Sequence, residues 1–458
     1  MQAVGQAVGK EGPVDRDLIR RHAVPVPRYT SYPTAPHFSA DVGPARYEQW
    51  LVDLPQEERL SLYVHIPYCT SLCWYCGCNT KATRRYRPIA SYLEALEREI
   101  AFVGSLMPAR HAVAHMHWGG GSPNVLSPSD VTGLARRIRS SFQLAADLEF
   151  AVEIDPRDLD EARVTALCDA GVTRISLGVQ DFHLEVQKAI GRMQSFEDTQ
   201  RAIEAFRARG VGSINIDLMY GLPLQTLESV DDTIGQVIAL APERIAIFGY
   251  AHLPERMRQQ RLIPDASLPD IFARYAQSSR MAARLIAAGY VRVGLDHFAR
   301  PGDGLAAGTV NRNFQGYTSD DVETLIGLGA SAIGQLPQGF VQNAVSPADY
   351  ARRVMAGGLA TAKGLALTDD DRMRGWVIKE LMCTLAFSRA RLRQRFGAKA
   401  AHLLAVADEV VAQDADGLVV PSPDGFAVTE RGRHFVRSIC ARFDAHLARS
   451  RARHSVGV

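Results

Sequence analysis

The 458-residue chain lacks any apolar run near the roughly 18–20 residues that a membrane span requires. It also lacks a signal-peptide layout, since the opening MQAVGQAVGKEGPVDRDLIRR holds no continuous apolar segment. A cytoplasmic location is therefore expected, with no membrane partner. Charge of one sign is missing too: 52 Lys+Arg stand against 50 Asp+Glu. Bulk electrostatics thus gives no support for a nucleic-acid partner. No heptad seam suggests assembly, and a monomer is expected. Cysteine is scarce and odd in number, seven in all, which argues against a disulfide framework in so long a chain. The remaining composition, 47% hydrophobic and 22% charged, is that of an ordinary globular protein of two or three domains at about 150 residues each.

The chain divides by texture. Residues 1 to about 15 read as a disordered arm, whereas PVPRYTSYPTAPHF (Pro25 to Phe38) is too rich in proline for a helix and too aromatic for a solvated tail. That second half is expected to dock on the body. From about residue 60, β-branched or apolar runs at Ser61–Pro67, Ala112–Trp118, Leu148–Ile154, Thr173–Val179, Ser213–Met219 and Arg244–Tyr250 alternate with capped amphipathic segments. Repeated β-then-α units imply a parallel sheet with right-handed crossovers. Six are countable, fewer than the eight of a closed barrel. A further strand is possible at Tyr290–Leu295. After about residue 360 come two amphipathic helices, then two short strands about a Pro-Asp-Gly turn and a last helix. This winged layout has no concentrated basic face, so packing against the main domain is the expected role. The predicted fold class is α/β: a partial (β/α)6 barrel over residues 43–350, an arm over 1–42 covering the active site, and a mainly helical C-terminal domain over 351–458.

Four of the seven cysteines fall in LYVHIPYCTSLCWYCGCN. Cys69, Cys73 and Cys76 form C-x3-C-x2-C on a loop after the first strand, with Cys78 beyond. Three thiolates so close can converge on one soft metal centre. Three rather than four would leave a [4Fe–4S] cluster with one iron open to a small molecule. Zinc is the alternative, but structural zinc sites usually pair C-x2-C motifs that lie apart. Cys168, Cys383 and Cys440 sit singly in apolar helical contexts and read as small buried hydrophobes. Tyr63 and His65 alternate with apolar residues on the preceding strand, either satisfied within the core or aimed at the cluster end.

The motif, with Tyr75 before its third cysteine, resembles the radical S-adenosylmethionine enzymes. The resemblance implies that Cys69, Cys73 and Cys76 ligate a [4Fe–4S] cluster. Its open iron is chelated by the cofactor's methionine moiety, and a one-electron reduction releases a 5′-deoxyadenosyl radical. Functional groups of such a barrel sit at the C-terminal strand ends, and each strand offers one. HWGGGSPN supplies Gly120, Gly121 and Ser122 for close approach to the cofactor, or else a merely flexible turn. Glu153, in AVEIDPR, and Asp217, in NIDLMYGLP, are carboxylates in apolar runs, where an unpaired charge is costly. The resemblance assigns both to the cofactor, along with Gln180 of SLGVQDF. Arg192 of AIGRMQ is a helix-end surface charge on its own, and by resemblance a partner of the cofactor's carboxylate.

The longer segments PRYTSYPTA, YVHIPYC…CGCN, HWGGGSP, VQDF, NIDLMYGLP, YAHLP, GLDHFARP, NRNFQGYT and GLGASAIG together resemble the oxygen-independent coproporphyrinogen III oxidase family. That resemblance implies oxidative decarboxylation of the ring A and B propionates of coproporphyrinogen III to vinyl groups, giving protoporphyrinogen IX. It further implies a second S-adenosylmethionine at Ala251 and Ile333, with Tyr63 as a cofactor-binding residue, His65 near this region and Tyr250 beside the adenine or the second cofactor. Also implied are a low-potential donor such as flavodoxin or ferredoxin and an unidentified electron acceptor. Tyr63, His65 and Cys78 are the expected catalytic residues, Cys78 acting without ligating iron. Two relatives are the alternatives: a haem chaperone, which usually has Phe at the position of Cys78 and lacks the arm, and the radical methyltransferases. A substrate with four carboxylates calls for arginines, and Arg28, Arg300 and Arg312, each in an aromatic non-helical segment, are the candidates. Surface ion pairs are the competing role for these three.

Overall fold

A computed structural model describes residues 15–107 and 111–449. The expected disorder of the first residues, and most of the basic C-terminal tail, lie outside them. Twelve strands form the main sheet: β1 (Leu60–Ile66), β2 (Ala112–Gly120), β3 (Gln143–Ile154), β4 (Arg174–Gln180), β5 (Ser213–Tyr220), β6 (Arg244–Gly249), β7 (Val291–Val293), β8 (His297–Ala299), β9 (Thr324–Leu328), β10 (Ile333–Leu336), β11 (Gly339–Asn343) and β12 (Thr361–Ala366). Their order is β12-β11-β10-β9-β1-β2-β3-β4-β5-β6-β8-β7. From β9 to β6 every neighbour is parallel, while β10–β12 and β7–β8 extend the two edges antiparallel. The six expected strands are present, joined by β9 as a seventh parallel strand. The expected strand at Tyr290–Leu295 is the edge strand β7.

Crossover helices start where the sequence supplies caps. Ser127 accepts from the Asp130 N–H to open Pro128–Ser141, and capping boxes at Ser195 and Thr226 open Phe196–Arg207 and Leu227–Leu240. These helices cover one face of the sheet. Parallel strands buried on both faces usually read as unbroken apolar runs, yet here burial alternates strictly along β4 and begins the same way along β5. Ile175, Leu177, Val179, Ile214, Ile216 and Leu218 are buried, whereas Ser176, Gly178, Gln180, Asn215, Asp217 and Met219 take the opposite, half-exposed face. On β1 Tyr63 likewise takes the half-exposed face between buried Leu62 and Val64, while His65 is buried. A half-open polar interior face is what a barrel presents when its lumen is a site and not a core.

A second hydrophobic cluster lies in the C-terminal region. Val377 and Leu381 of the helix Asp369–Thr384, Leu403 of Ala401–Ala412, and Phe426, Phe435 and Phe443 pack together. The wing strands Val419–Ser422 and Gly425–Val428 pair as expected, joined by a third, Ala386–Ser388. The arm packs into this cluster: Leu18, Ile19, Tyr29 and Tyr32 belong to it, and the Tyr29 hydroxyl donates to Asp444 at 3.0 Å. Further along the arm Phe38 stacks on Phe340 at 5.6 Å and Ser39 bridges to Gly364 of β12. The arm therefore straddles both units. The boundary expected at 350/351 falls inside the helix Pro347–Met355, and β12 still belongs to the main sheet. The sheet ends only at Ala366.

Candidate active site

A cavity of about 550 Å³ opens at the C-terminal ends of the strands, lined by Cys69, Cys73, Cys76 and Cys78. The cysteine loop is fixed from several sides. Two-residue strands Tyr68–Cys69 and Lys81–Ala82 pair at its base. The Trp74 N–H donates to the Ile190 carbonyl at 2.9 Å. Gln259 and Gln260 donate to the carbonyls of Cys76 and Tyr75 at 2.6 and 2.9 Å. At Cys73 the sulfur accepts from Arg192 at 3.5 Å and Arg157 at 3.6 Å. Burial pushes the Cys69 thiol up to about 12, while hydrogen bonding from Cys78, whose N–H donates to the sulfur at 3.4 Å, holds the Cys76 thiol below its usual value.

Beside the cysteine loop runs the glycine segment, where the Gly121 and Ser122 N–H groups donate to the Ile66 and Tyr68 carbonyls, both at 2.8 Å. Gly120 has φ +106°, and a Cβ there would lie 2.3 Å from His65 Cε1; one on Gly119 would lie 2.6 Å from Glu153 Oε1. Both positions need glycine because the site's own side chains press against the backbone. Glu153 accepts from His117 at 3.1 Å and from the Gly120 N–H at 3.0 Å. Burial would raise its pKa, but these bonds prevail and hold the carboxyl below its usual range. Register places the polar groups level across the lumen: Tyr63 pairs with His117, Glu153 with Ser176 and Gly178 with Asp217.

Gln180, Arg192, Asp217, Tyr250 and Ala251 line the same cavity, as do Gly120, Gly121, Ser122 and Arg28. Arg192 is no surface charge. It is buried against Asp155 at 3.3 Å, donates to the Gly178 carbonyl, and keeps an Nε–H without a partner. Asp217 accepts from Ser176 and Asn215, both at 2.8 Å, and burial raises its pKa. Tyr250 hydrogen-bonds His252 at 2.8 Å.

Tyr63, His65 and Ile333 do not line this cavity; the His65 ring lies against Gly120. The Tyr63 hydroxyl meets His65 Nδ1 at 3.0 Å, and His65 Nε2 faces the Asn79 carbonyl at 3.0 Å and Ser331 at 3.4 Å. Ile333 opens β10 two residues beyond Ser331. Arg312 lines a neighbouring cavity and donates to the Tyr29 and Arg28 carbonyls, both at 3.3 Å. Arg300 must be corrected. It sits at the N-terminal end of β6, donating to the Pro242 carbonyl at 3.1 Å and stacking over Tyr290. Its aromatic surroundings belong to the bottom of the barrel, far from the cysteines.

Residues 63–237 match the Radical SAM superfamily, and residues 367–435 match the HemN C-terminal domain. An oxygen-independent coproporphyrinogen III oxidase of Bradyrhizobium diazoefficiens is 46% identical over 437 residues, covering 94% of this chain and 97% of that protein. The chain belongs to the oxygen-independent coproporphyrinogen III oxidase family. A second member, from Escherichia coli K12, is 41% identical over 96% of both chains. The solved structure described as "Coproporphyrinogen III oxidase (HemN) from Escherichia coli is a Radical SAM enzyme" superposes with a TM-score of 0.87 at 41% identity, covering 92% of this chain and 98% of that one.

The site fits the family's cluster better than a single ion. Among the described residues, the one set of three His, Cys, Asp or Glu ligand atoms all within 4.8 Å of one another is His115, Asp320 and Asp321. No three cysteine sulfurs are that close. One tetrahedral zinc, with bonds of about 2.3 Å, would draw them to about 3.8 Å, whereas a cubane gives each thiolate its own iron. Residues the sequence did not single out complete the site: His117 beneath Glu153, Asp155 and Arg157 beside Cys73, and Gln259 and Gln260 over the loop. Asp155 and Arg157 adjoin Glu153 in AVEIDPR, the one available signal. The glutamines, about 180 residues from the cysteines, carry none.

Proposed function

We propose that this chain carries out the anaerobic oxidative decarboxylation of coproporphyrinogen III to protoporphyrinogen IX. The observation that carries the reading is a relationship at 46% identity to a member of that family, spanning 94% of this chain and 97% of that protein, together with three cysteines lining one glycine-bordered cavity. When bound, the reduced [4Fe–4S] cluster and S-adenosylmethionine supply an adenosyl radical that takes hydrogen from a propionate β-carbon, so that CO2 leaves and one electron passes on.

The chain's own residues bind, orient and exclude water. Cys69, Cys73 and Cys76 hold the cluster. Arg192, already buried and short of a partner at Nε, takes a carboxylate of the cofactor. The glycine segment admits its amine beside Glu153, which stays ionised. Gln180, Asp217 and Tyr250 bind its polar groups. A second S-adenosylmethionine sits near Ala251 and Ile333, with Tyr63 and His65 beside it. Cys78, which lines the same cavity two residues beyond Cys76, serves without ligating. The arm closes the mouth through Arg28, and the enzyme works as a cytoplasmic monomer fed by a flavodoxin- or ferredoxin-like donor. The main sheet through Ala366, the C-terminal helical unit and the arm act as three functional parts.

The test is anaerobic reconstitution with iron and sulfide, followed by reductant, S-adenosylmethionine and coproporphyrinogen III. We expect 5′-deoxyadenosine and a vinyl-bearing porphyrinogen, both abolished in Cys73→Ala. Zinc in the oxygen-protected protein, or haem binding without turnover, would overturn the reading.

A further inference from the structure

Beside the cluster cavity lies a second one of about 260 Å³, and the two share Arg28 and Phe248 as a common wall. Its lining is strongly cationic. Arg28 of the arm, Arg274 of the helix Ile271–Ala287, Arg292 of β7, Arg312 of the hairpin Asn311–Asn313/Gly316–Thr318 that follows β8, and Arg437 of the C-terminal unit all line it, with Asp296 as the one carboxylate. Asp296 is already engaged by His297 at 2.8 Å. Arg292 reaches Glu430 only at 4.0 Å, and its side chain is 7% exposed. Arg437 is 8% exposed. Arg292 Nε, Arg437 Nε and Arg312 Nη1 are buried without a hydrogen-bond partner. Buried guanidinium N–H groups left unmet are costly, and clustered like charge adds to that cost. An anion entering here would answer both.

The volume limits what the anion is attached to. It falls below the roughly 300–1,000 Å³ that encloses a drug-sized ligand, so the cavity takes side-chain carboxylates and leaves a macrocycle outside. Chemistry then decides which ones. A carboxylate about to leave as CO2 gains nothing from arginines that stabilise its charge before reaction, since stabilising the ground state raises the barrier. Carboxylates retained through the reaction can be held as tightly as the site allows. We propose that the five-arginine cavity anchors the ring C and D propionates of the substrate, with the ring A and B propionates directed over the shared wall into the cluster cavity. The proposal rests on the function proposed above. It makes the C-terminal unit, through Arg437, part of substrate recognition.

The experiment uses anaerobic reconstituted holoenzyme and fluorescence titration with coproporphyrin III and protoporphyrin IX, the oxidised forms of substrate and product. Protoporphyrin IX keeps only the ring C and D propionates. Arg437→Gln is expected to weaken both porphyrins by about tenfold or more and to leave S-adenosylmethionine affinity unchanged, with Arg437→Lys recovering part of the loss. Arg28→Gln, at an exposed position that does not endanger folding, should weaken both by several-fold and decides the matter if Arg437→Gln loses its cluster absorbance. Unchanged porphyrin affinity in variants with intact clusters would overturn the proposal. So would a loss confined to coproporphyrin III, which puts the arginines on the reacting propionates, or a loss confined to S-adenosylmethionine, which assigns them to the cofactor's carboxylate. An enzyme that binds porphyrins through these arginines yet forms no vinyl product would defeat the proposed reaction and leave this inference standing.

Discussion

The two ends of the parallel sheet carry comparable charge and treat it in opposite ways. At the N-terminal ends, Arg174 meets Glu149 at 2.9 Å, Arg207 meets Glu243 at 3.1 Å and Arg244 meets Asp303 at 2.8 Å. At the C-terminal ends five arginines line a cavity that holds one carboxylate, and Arg292, Arg312 and Arg437 each keep a buried N–H without a partner. Arg244 also has an N–H without a partner, but its charge is met. Exposure alone does not separate structural arginines from binding ones here. What separates Arg312 and Arg437 from the paired end is that, among the described residues, neither makes an ion pair with a carboxylate of the chain.

Four substitutions break or sharpen this contrast. The largest effect belongs to the paired end: Arg244→Ala strands the buried Asp303, and chemical denaturation should register a loss of about 3–5 kcal/mol. A neutral result would mean the bottom pairs are ornamental. Next, Gly120→Ala at the open end drives a Cβ into His65 from a backbone with φ +106°. The rate of 5′-deoxyadenosine formation should fall about 100-fold with cluster content retained; an unchanged rate would show that the segment can retreat.

Third is a carboxylate at the open end that the chain does satisfy. Glu99 accepts from the Gly329 N–H at 2.6 Å, Asn343 at 2.6 Å and Tyr350 at 2.7 Å, and burial pushes its pKa up to about 7. Its folded pKa is raised, so its contribution to stability is complete below the unfolded value of about 4.3 and is lost as pH rises through about 7. Wild-type stability should decline between pH 5 and 8 by on the order of 2 kcal/mol relative to Glu99→Gln, read from denaturation midpoints across that range. Parallel profiles would show that Glu99 is ionised throughout. Smallest is Arg300→Ala, which should change KM for coproporphyrinogen III less than twofold, because this arginine answers to Pro242 and Tyr290.

The strands were legible in the sequence because short β-branched runs alternate with capped amphipathic helices. β9 was not: TLIGL is brief and follows a hairpin instead of a helix, so the β-then-α rhythm that exposed the other strands passes over it. Within the site, several strand-end residues were readable from their own segments, while His117 and Asp155, on or beside the same strands, were not. Glu153 and Asp217 stood out as carboxylates in apolar runs. The arginine cavity was nearly invisible. Arg274, Arg292 and Arg437 lie in separate segments with ordinary surroundings, and only folding brings them together. Arg300 misled for the converse reason, since GLDHFARP places it directly after β8, the antiparallel strand that returns the chain to the bottom of the barrel.

Tyr29 adopts a left-handed backbone with φ +48°, and its ring is buried in the C-terminal cluster, while Arg28 beside it hydrogen-bonds the Gly249 carbonyl at 3.0 Å and borders both cavities. The grip of a single arginine on the barrel mouth is thus set by an anchor seated in another unit. A lesion in the distant helical core, one that never touches iron, cofactor or porphyrin, would slacken that tether and surface in an assay as poor substrate capture.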